Sequence, residues 1–182
     1  HGLVFNPGFE RVEGYSNFLW VVALAAFDAL GARPEHVAPV VSVLLTIALW
    51  GLVARASFQW IPRGPWRFVI LLPTAWLALT RSVAVWSTSG LETRLFEVLV
   101  VAGVFRLIED LAAEAGAERT RAPVAAVFFA LAALTRPDGM LVGCAVMATA
   151  AAVAAMRQRL RVAEVVSHAL VFGGIVGAHL IF

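Results

Sequence analysis

Residues 37–54 are VAPVVSVLLTIALWGLVA, a run without a single charge. A helix needs about 20 mostly apolar residues to cross the hydrocarbon core of a bilayer, with a range of about 17–25. The run therefore predicts a membrane-spanning helix. The same requirement is met by two later runs, residues 140–156 and 165–182.

Shorter apolar runs lie between these long ones. They are residues 18–30, 68–79, 95–108 and 122–134. Each reaches spanning length if flanking Thr, Ser or small residues are added, or else it forms a half-span. Glycine and proline fall at the joints and mark helix ends, whereas membrane strands would alternate apolar and polar residues over about 10 positions. The sequence predicts an all-α, polytopic transmembrane helix bundle over residues 18–182, with about six or seven hydrophobic helices, some of them half-span or re-entrant.

The composition supports this class. Hydrophobic residues make up 61% of the chain and charged residues 14%, and the mean hydropathy is +0.86. A soluble domain holds about half apolar and about a quarter charged residues, so the excess apolar surface is expected to face membrane lipid. Every basic side chain is arginine, and the arginines are scattered between apolar runs, which offers no nucleic-acid-binding surface. Cys144 is the only cysteine. No residues show metal-ligand spacing, and no phosphate-binding loop or nucleophile elbow is present.

The two ends of the sequence indicate a fragment. The chain begins at His1 without the features of a signal peptide and stops at Phe182 inside an apolar run. Proteins rarely end in mid-membrane, so we expect a piece truncated at both ends. Residues 1–17 would then be the end of a loop that leads into the first helix.

Three polar clusters are not explained by hydropathy. They are residues 6–17 (NPGFERVEGYSN), residues 86–94 (WSTSGLETR, followed by Glu97) and residues 134–139 (LTRPDG). Helix caps and turns account for part of each: Ser16 or Asn17 is placed to cap the first helix, Gly90 predicts a turn, and Glu92 opens a helix. A charge cluster is often merely solvated, but ionisable residues at the mouth of a bundle are functional candidates.

The placement of arginine predicts an orientation. Short loops rich in Arg stay in the cytoplasm, and residues 55–67 and 157–161 form two such loops. Residues 86–93 and 136–139 then lie together on the opposite side. If every run crosses, residues 1–16 fall in the cytoplasm.

The clusters together resemble a known family. Residues 1–8 and 10–20, with residues 89–93 and 134–139 in the same order, are similar to segments of type-C polytopic membrane glycosyltransferases, nearest to the actinobacterial terminal arabinofuranosyltransferase group. These motifs cover about a fifth of the chain. Phe9 departs from the family spacing by one residue, which puts the geometry of that turn in doubt.

The resemblance implies an inverting enzyme of the bacterial cytoplasmic membrane that moves a sugar from a polyprenyl-phosphate donor to a glycan or lipid acceptor on the outer face. Its catalytic base, an Asp, would precede His1, so the fragment contains no catalytic residue and is expected to be inactive alone. Arg11 or Arg136 would bind the donor phosphate by charge-assisted hydrogen bonds. The other substrate-binding residues that the resemblance implies are Asn6, Glu10, Glu13, Glu92 and Asp138, whose carboxylates would orient sugar hydroxyls or those arginines. It implies no cofactor, and leaves a divalent metal open.

The resemblance and the arginine rule disagree about residues 6–17. The family places them outside with the other two clusters, whereas crossing by every run places them inside. Both hold if one of the runs 18–30, 37–54 and 68–79 does not cross, and 18–30 and 68–79 are short for a span. We therefore expect one outer face for all three clusters.

Two other classes stay open. One is a non-enzymatic membrane protein, either a transporter or an envelope or flagellar assembly factor. The other is an inactive, truncated product. Transporters usually carry polar residues near the bilayer midplane, and here the charges cluster at helix ends, which favours the enzyme.

Overall fold

The computed structural model describes residues 17–61, 64, 67–112, 123–157 and 162–180, and all regular structure within them is helical. The prediction of an all-α bundle is confirmed. The helices are α1 (Phe18–Ala29), α2 (Pro34–Trp60), α3 (Leu72–Leu79, preceded by a 3-10 turn, Arg67–Leu71), α4 (Arg81–Ser87), α5 (Thr93–Ala112), α6 (Val124–Thr135), α7 (Asp138–Met156) and α8 (Val162–Leu180).

Three helices of the described parts, α2, α7 and α8, are long and apolar enough to cross a membrane. A fourth crossing results if residues 68–79 and α4, which meet at a bend of 60°, form one broken span. The chain is a multi-pass membrane protein. Lipid imposes this choice of structure, because backbone polar groups inside the hydrocarbon core must bond within the segment, as they do in a helix.

The break between α3 and α4 was not predicted from the sequence, which placed no helix over residues 81–87. It falls at Thr80, whose backbone is extended (φ −77°, ψ 114°) and whose hydroxyl donates to the carbonyl of Trp76 at 2.7 Å. A threonine that bonds back by one turn competes with the helical ladder and favours a bend.

Helix α6 lies at the centre of the bundle, against α5, α7 and α8. Its residues Ala125, Ala126, Phe129 and Ala130 are fully buried. Alanine lets neighbouring backbones approach closely, which matters because lipid offers no hydrophobic drive for helix association. The ring of Phe129 fills the space left by glycine on α5: a Cβ added at Gly103 would lie 3.0 Å from that ring.

Contacts at both ends of α2 and α5 show that these two helices run in the same direction. A Cβ added at Gly90, just before α5, would lie 3.3 Å from the Cβ of Ala38 in the first turns of α2. Farther along, the rings of Trp60 and Phe105 meet edge to face at 4.9 Å.

The remaining long helices alternate in direction. Arg136, between α6 and α7, covers a ring in the first turn of α5, so α6 ends and α7 begins where α5 begins. The His179 ring, near the end of α8, lies 4.3 Å from the Phe18 ring of α1. We call this the polar end of the bundle, marked by Asn17, Glu92, Arg136 and Asp138. The opposite end, marked by Arg55, Arg106 and Arg157, is the arginine end.

Helix α1 both begins and finishes at the polar end. Asn17 at its start bonds to Glu92, and the short link after Ala29 leads into α2, whose first turns approach Gly90. The 12 residues of α1 extend about 18 Å, less than the roughly 30 Å of a hydrocarbon core. The contacts at its two ends, and not its length alone, therefore indicate that α1 does not connect opposite ends of the bundle.

Candidate functional site

The first and second polar clusters meet through Asn17 and Glu92. Asn17 immediately precedes α1, and its side-chain amide donates to a carboxylate oxygen of Glu92 at 3.4 Å across 75 positions of sequence. Of the two predicted caps, Ser16 lies outside the described residues, and Asn17 is the N-cap residue of α1 but makes no side-chain cap bond. The backbone carbonyl of Asn17 accepts from Trp20 and Val21, but its amide makes no cap bond because it is turned toward Glu92.

The turn before α5 has the form that its residues predict. The hydroxyl of Ser89 donates to the carbonyl of Trp86 at 3.1 Å and accepts from the backbone N–H of Leu91 at 3.3 Å. Gly90 has φ +72°, a conformation that costs glycine little and other residues more. It also lies against α2, so the turn fixes Glu92 in relation to that helix.

Glu92 stands one residue before α5 and accepts, through its backbone carbonyl, from the N–H of Phe96 at 3.0 Å. It therefore opens the helix as predicted, with its side chain at the helix N-terminus, where a negative charge is favoured.

The third cluster joins the second through Arg136. Its guanidinium lies 5.6 Å from the centre of the Phe96 ring, within the range of a cation–π contact. It also donates to Asp138 at 3.1 Å. The side chains of Arg136 and Asp138 remain 37% and 67% exposed. This one bond uses one of the five N–H donors of a guanidinium.

Gly139 positions this pair. A Cβ at Gly139 would collide with the backbone carbonyl of Ala132 in α6. The start of α7 can therefore press against the end of α6 only with glycine there. The predicted tight reversal is confirmed, and the close approach of α6 and α7 is its physical reason.

Arg94 also lies at the polar end, and no role was predicted for it from the sequence. It lies within the second cluster, but its side chain is only 1% exposed. It is ion-paired with Glu97 and donates to the carbonyl of Ser82 in α4 at 3.2 Å, and its Nε has no hydrogen-bond partner. Arg94 therefore ties the broken span to α5 and is out of a ligand's reach. An arginine three positions before a glutamate at the start of an apolar helix is a signal from which this pair could have been predicted.

Four of the predicted substrate-binding residues lie outside the described residues: Asn6, Glu10, Arg11 and Glu13. The other three, Glu92, Arg136 and Asp138, are all at the polar end. Within the described part of the chain, no group of three or more His, Cys, Asp or Glu could hold a metal ion.

The polar end can bind an anion and polar hydroxyls. Arg136 offers exposed donors, Phe96 restricts where its guanidinium lies, and the carboxylates of Glu92 and Asp138 accept hydrogen bonds. A guanidinium forms bidentate, charge-assisted bonds with phosphate, and sugar hydroxyls bond readily to carboxylates. No family model, curated protein or solved structure matches this chain.

Proposed function

We propose that this chain is part of an inverting membrane glycosyltransferase, which moves a sugar from a polyprenyl-phosphate donor to a glycan or lipid acceptor of the cell envelope. The observation that supports this proposal is the exposed Arg136 guanidinium, held by Asp138 and Phe96 at the end of the bundle where Glu92 also lies. A departing phosphate gains negative charge, and a preorganised cation stabilises it.

The proposed roles follow from the exposure of each side chain. Arg136 binds the donor phosphate, and Glu92 and Asp138 orient sugar hydroxyls or the guanidinium itself. Arg94 has no ligand contact in this scheme because it is buried. In the family that the motifs resemble, a carboxylate takes the proton of the acceptor hydroxyl, and none of the residues named here is proposed for that role.

The proposal also includes an orientation. Arg55, Arg106 and Arg157 mark one end of the bundle; Arg55 is in α2 and not in the loop where the sequence predicted it, and Arg157 directly follows α7. Positive charge in short loops is retained in the cytoplasm. The polar end then faces outward from a bacterial cytoplasmic membrane, on the side where envelope acceptors lie.

One observation favours the non-enzymatic alternative. The break at Thr80, with its 60° bend, is the kind of discontinuity that forms binding sites in transporters. In transporters such sites lie near the midplane, however, whereas Arg136 lies between α6 and α7 and Asp138 is the first residue of α7, both at one end of the bundle. A covalent product separates the two classes, because transport makes none.

The test uses membranes that contain the intact gene product and a radiolabelled polyprenyl-phosphate sugar. Transfer to an acceptor lipid or glycan is expected, and Arg136→Ala should lower it by about 10²–10³, the effect of removing one electrostatic donor to a developing charge. Arg136→Lys should retain part of the rate. Arg157→Ala, an exposed arginine at the other end, is the matched control and should transfer normally.

Two results would count against the proposal in different ways. Normal transfer by Arg136→Ala would remove this residue from the donor site and leave the enzyme class standing. The absence of any glycosidic product with polyprenyl-phosphate sugars would exclude the enzyme class itself.

A further inference from the structure

Away from the polar end, a cavity of about 210 Å³ lies between α2 and α5 at the arginine end. Its lining includes the apolar side chains of Leu52, Ala102 and Phe128. The rings of Trp60 and Phe105, which meet edge to face, also line it. Walls of this kind suit an apolar chain.

The polar groups of this cavity are mostly hydrogen-bond donors on exposed side chains. Arg55 is 63% exposed and gives one of the five N–H donors of its guanidinium to Glu109, at 3.2 Å. The side-chain amide of Gln59 and the indole N–H of Trp60 make no hydrogen bond with the other described residues, and both side chains are exposed. A ligand can therefore reach several unused donors from outside.

Glu109 is the acidic residue of the lining, and it already has partners. One of its oxygens accepts from Arg55, and the other lies 3.9 Å from Arg106 of the same helix. The carboxylate thus holds guanidinium groups of two helices near each other. Asp110, which pairs with Arg106 at 3.0 Å, does not line the cavity. The lining therefore carries two arginines and one glutamate, and favours a ligand that accepts hydrogen bonds and is negatively charged.

The level of the two arginines in the membrane indicates what such a ligand is. The uncharged run 37–54 ends immediately before Arg55, and in α5 no charged residue lies between Glu97 and Arg106. Both arginines are thus the first charges met on leaving the apolar part of their helices. This is the level at which the hydrocarbon core ends and the phosphate groups of lipids begin.

The lining also changes along the membrane normal. Leu52 and Ala102 lie about one helical turn deeper than the arginines, and Gln59 lies one turn farther out than Arg55. From the inside outward, the cavity offers apolar walls, then a guanidinium, then an amide. A phospholipid has the matching order of acyl chain, phosphate and polar headgroup.

We propose that this cavity binds an anionic phospholipid, whose phosphodiester accepts hydrogen bonds from Arg55 while one acyl chain lies between α2 and α5. A guanidinium forms charge-assisted bonds with phosphate, and basic pockets between membrane helices bind anionic headgroups. A headgroup with an ammonium fits less well, because it would bring a second cation beside the guanidinium groups. The site is separate from the polar end and does not depend on the proposed function.

The test compares two lipids that share their acyl chains and their phosphate but differ in headgroup charge. The full chain, purified in detergent, is titrated with dioleoylphosphatidylglycerol or dioleoylphosphatidylcholine, and the first bound lipid is measured by native mass spectrometry. The glycerol lipid, which is anionic, should bind about fivefold more tightly, the value of one basic residue near an anionic headgroup.

A first pair of variants tests the guanidinium. Arg55→Gln removes the charge and keeps a polar side chain, and it should abolish the preference for the anionic lipid. Arg157→Gln is the matched control, because Arg157 is an exposed arginine at the same end that does not line the cavity. It should keep the preference.

A second pair tests the apolar part. Ala102→Leu narrows the space between α2 and α5 and should weaken binding of the anionic lipid about fivefold, because the phosphate then no longer reaches Arg55. Ala112→Leu, at the exposed end of α5 and outside the lining, should leave binding unchanged. Circular dichroism of each variant confirms that it is folded.

Equal binding of the two lipids by the unmodified chain would overturn the proposal without any variant. So would an equal loss in Arg157→Gln and Arg55→Gln, since the whole arginine end and not the cavity would then attract the lipid. Dioleoylphosphatidylethanolamine bound as tightly as the anionic lipid would show that Glu109 selects an ammonium instead. Binding of water-soluble glycerol 3-phosphate as tight as that of the lipid, or unchanged binding in Ala102→Leu, would exclude the acyl chain from the cavity.

Discussion

The two ends of the bundle treat their charges differently. At the arginine end, Arg106 pairs within its own helix, with Asp110 at 3.0 Å and with Glu109 at 3.9 Å. Arg55 of α2 also reaches Glu109 of α5 at 3.2 Å, but the Arg55 side chain is 63% exposed. At the polar end, the bonds between distant parts of the chain are partly buried. Asn17 reaches Glu92 from another helix, and Arg94 reaches Ser82 across the break before α5.

The difference in burial indicates which end contributes more to holding helices in place. Pairs three or four residues apart contribute about a few tenths of a kcal/mol, and an exposed ion pair between helices contributes little more. The partly buried bonds at the polar end fix the relative positions of α1, α4 and α5, and Arg136 stays exposed at the same end. A site needs such a frame, since its groups must be held by their neighbours.

The largest expected effect is on the side of the membrane from which α1 can be labelled, because this outcome is all or none. In a Cys144→Ser background, we introduce single cysteines by Asp28→Cys, Asp138→Cys or Arg157→Cys and label them with a membrane-impermeant maleimide. Asp28→Cys and Asp138→Cys should react from the same side of sealed vesicles, and Arg157→Cys only from the other. If Asp28→Cys reacted together with Arg157→Cys, α1 would cross the membrane and its assignment to the polar end would be wrong.

The next effect is the removal of Glu97. Without it, the buried Arg94 keeps a charge with no ionic partner, and breaking a buried pair from one side costs about 3–5 kcal/mol. Glu97→Ala should therefore lower the midpoint of thermal unfolding in detergent by roughly 10 °C, at about 2–4 °C per kcal/mol for a chain of this size.

The control for Glu97→Ala is the double variant Arg94→Met with Glu97→Ala, which removes both charges and keeps much of the volume. It should be more stable than Glu97→Ala alone. If the two were equally unstable, the loss would come from packing and not from the unpaired charge.

A smaller effect on stability is expected when glycine is replaced by alanine, and it should differ between Gly139 at the polar end and Gly174, which faces lipid. Gly139→Ala must push α7 away from the carbonyl of Ala132, and overpacking of this kind costs about 1–3 kcal/mol. Gly174→Ala, where an added Cβ meets nothing within 4 Å, should be neutral or slightly stabilising, because alanine favours the helix. Thermal unfolding of both variants gives the comparison. If Gly139→Ala were neutral or stabilising like Gly174→Ala, helix propensity and not the close approach of α6 and α7 would decide the effect of substituting Gly139.

The spanning helices were predictable because lipid leaves few alternatives. The runs 37–54 and 140–156 lie inside α2 and α7, since a long uncharged run in a membrane has to be a helix. The resemblance and the arginine rule together predicted that one of the runs 18–30, 37–54 and 68–79 does not cross. They could not show that this run is α1, because that depends on the contact of Gly90 with Ala38, between segments far apart in sequence.

The candidate site was predictable in part, for a similar reason. Polar residues at helix ends identified Glu92, Arg136 and Asp138. Burial of Arg94 and the turning of Asn17 away from its own helix were not predictable, since both depend on which neighbour lies across the bundle. The enzyme class itself stays a prediction, because it depends on the motifs alone.

The smallest expected effects on stability come from removing one bond at each end of the bundle. Asn17→Ala removes the partly buried bond to Glu92 and should cost about 0.5–1.5 kcal/mol, the net value of an intramolecular hydrogen bond. Arg55→Ala removes an ion pair whose arginine is 63% exposed, so its cost should fall within about 0–1 kcal/mol and shrink further in high salt. Unfolding midpoints at two salt concentrations measure both. A loss for Arg55→Ala that exceeds the loss for Asn17→Ala and persists in salt would mean that the exposed pair between α2 and α5 holds the helices more firmly than the partly buried bond at the polar end. The contrast between an exposed remote pair at one end and partly buried remote bonds at the other would then no longer explain the stability of this protein.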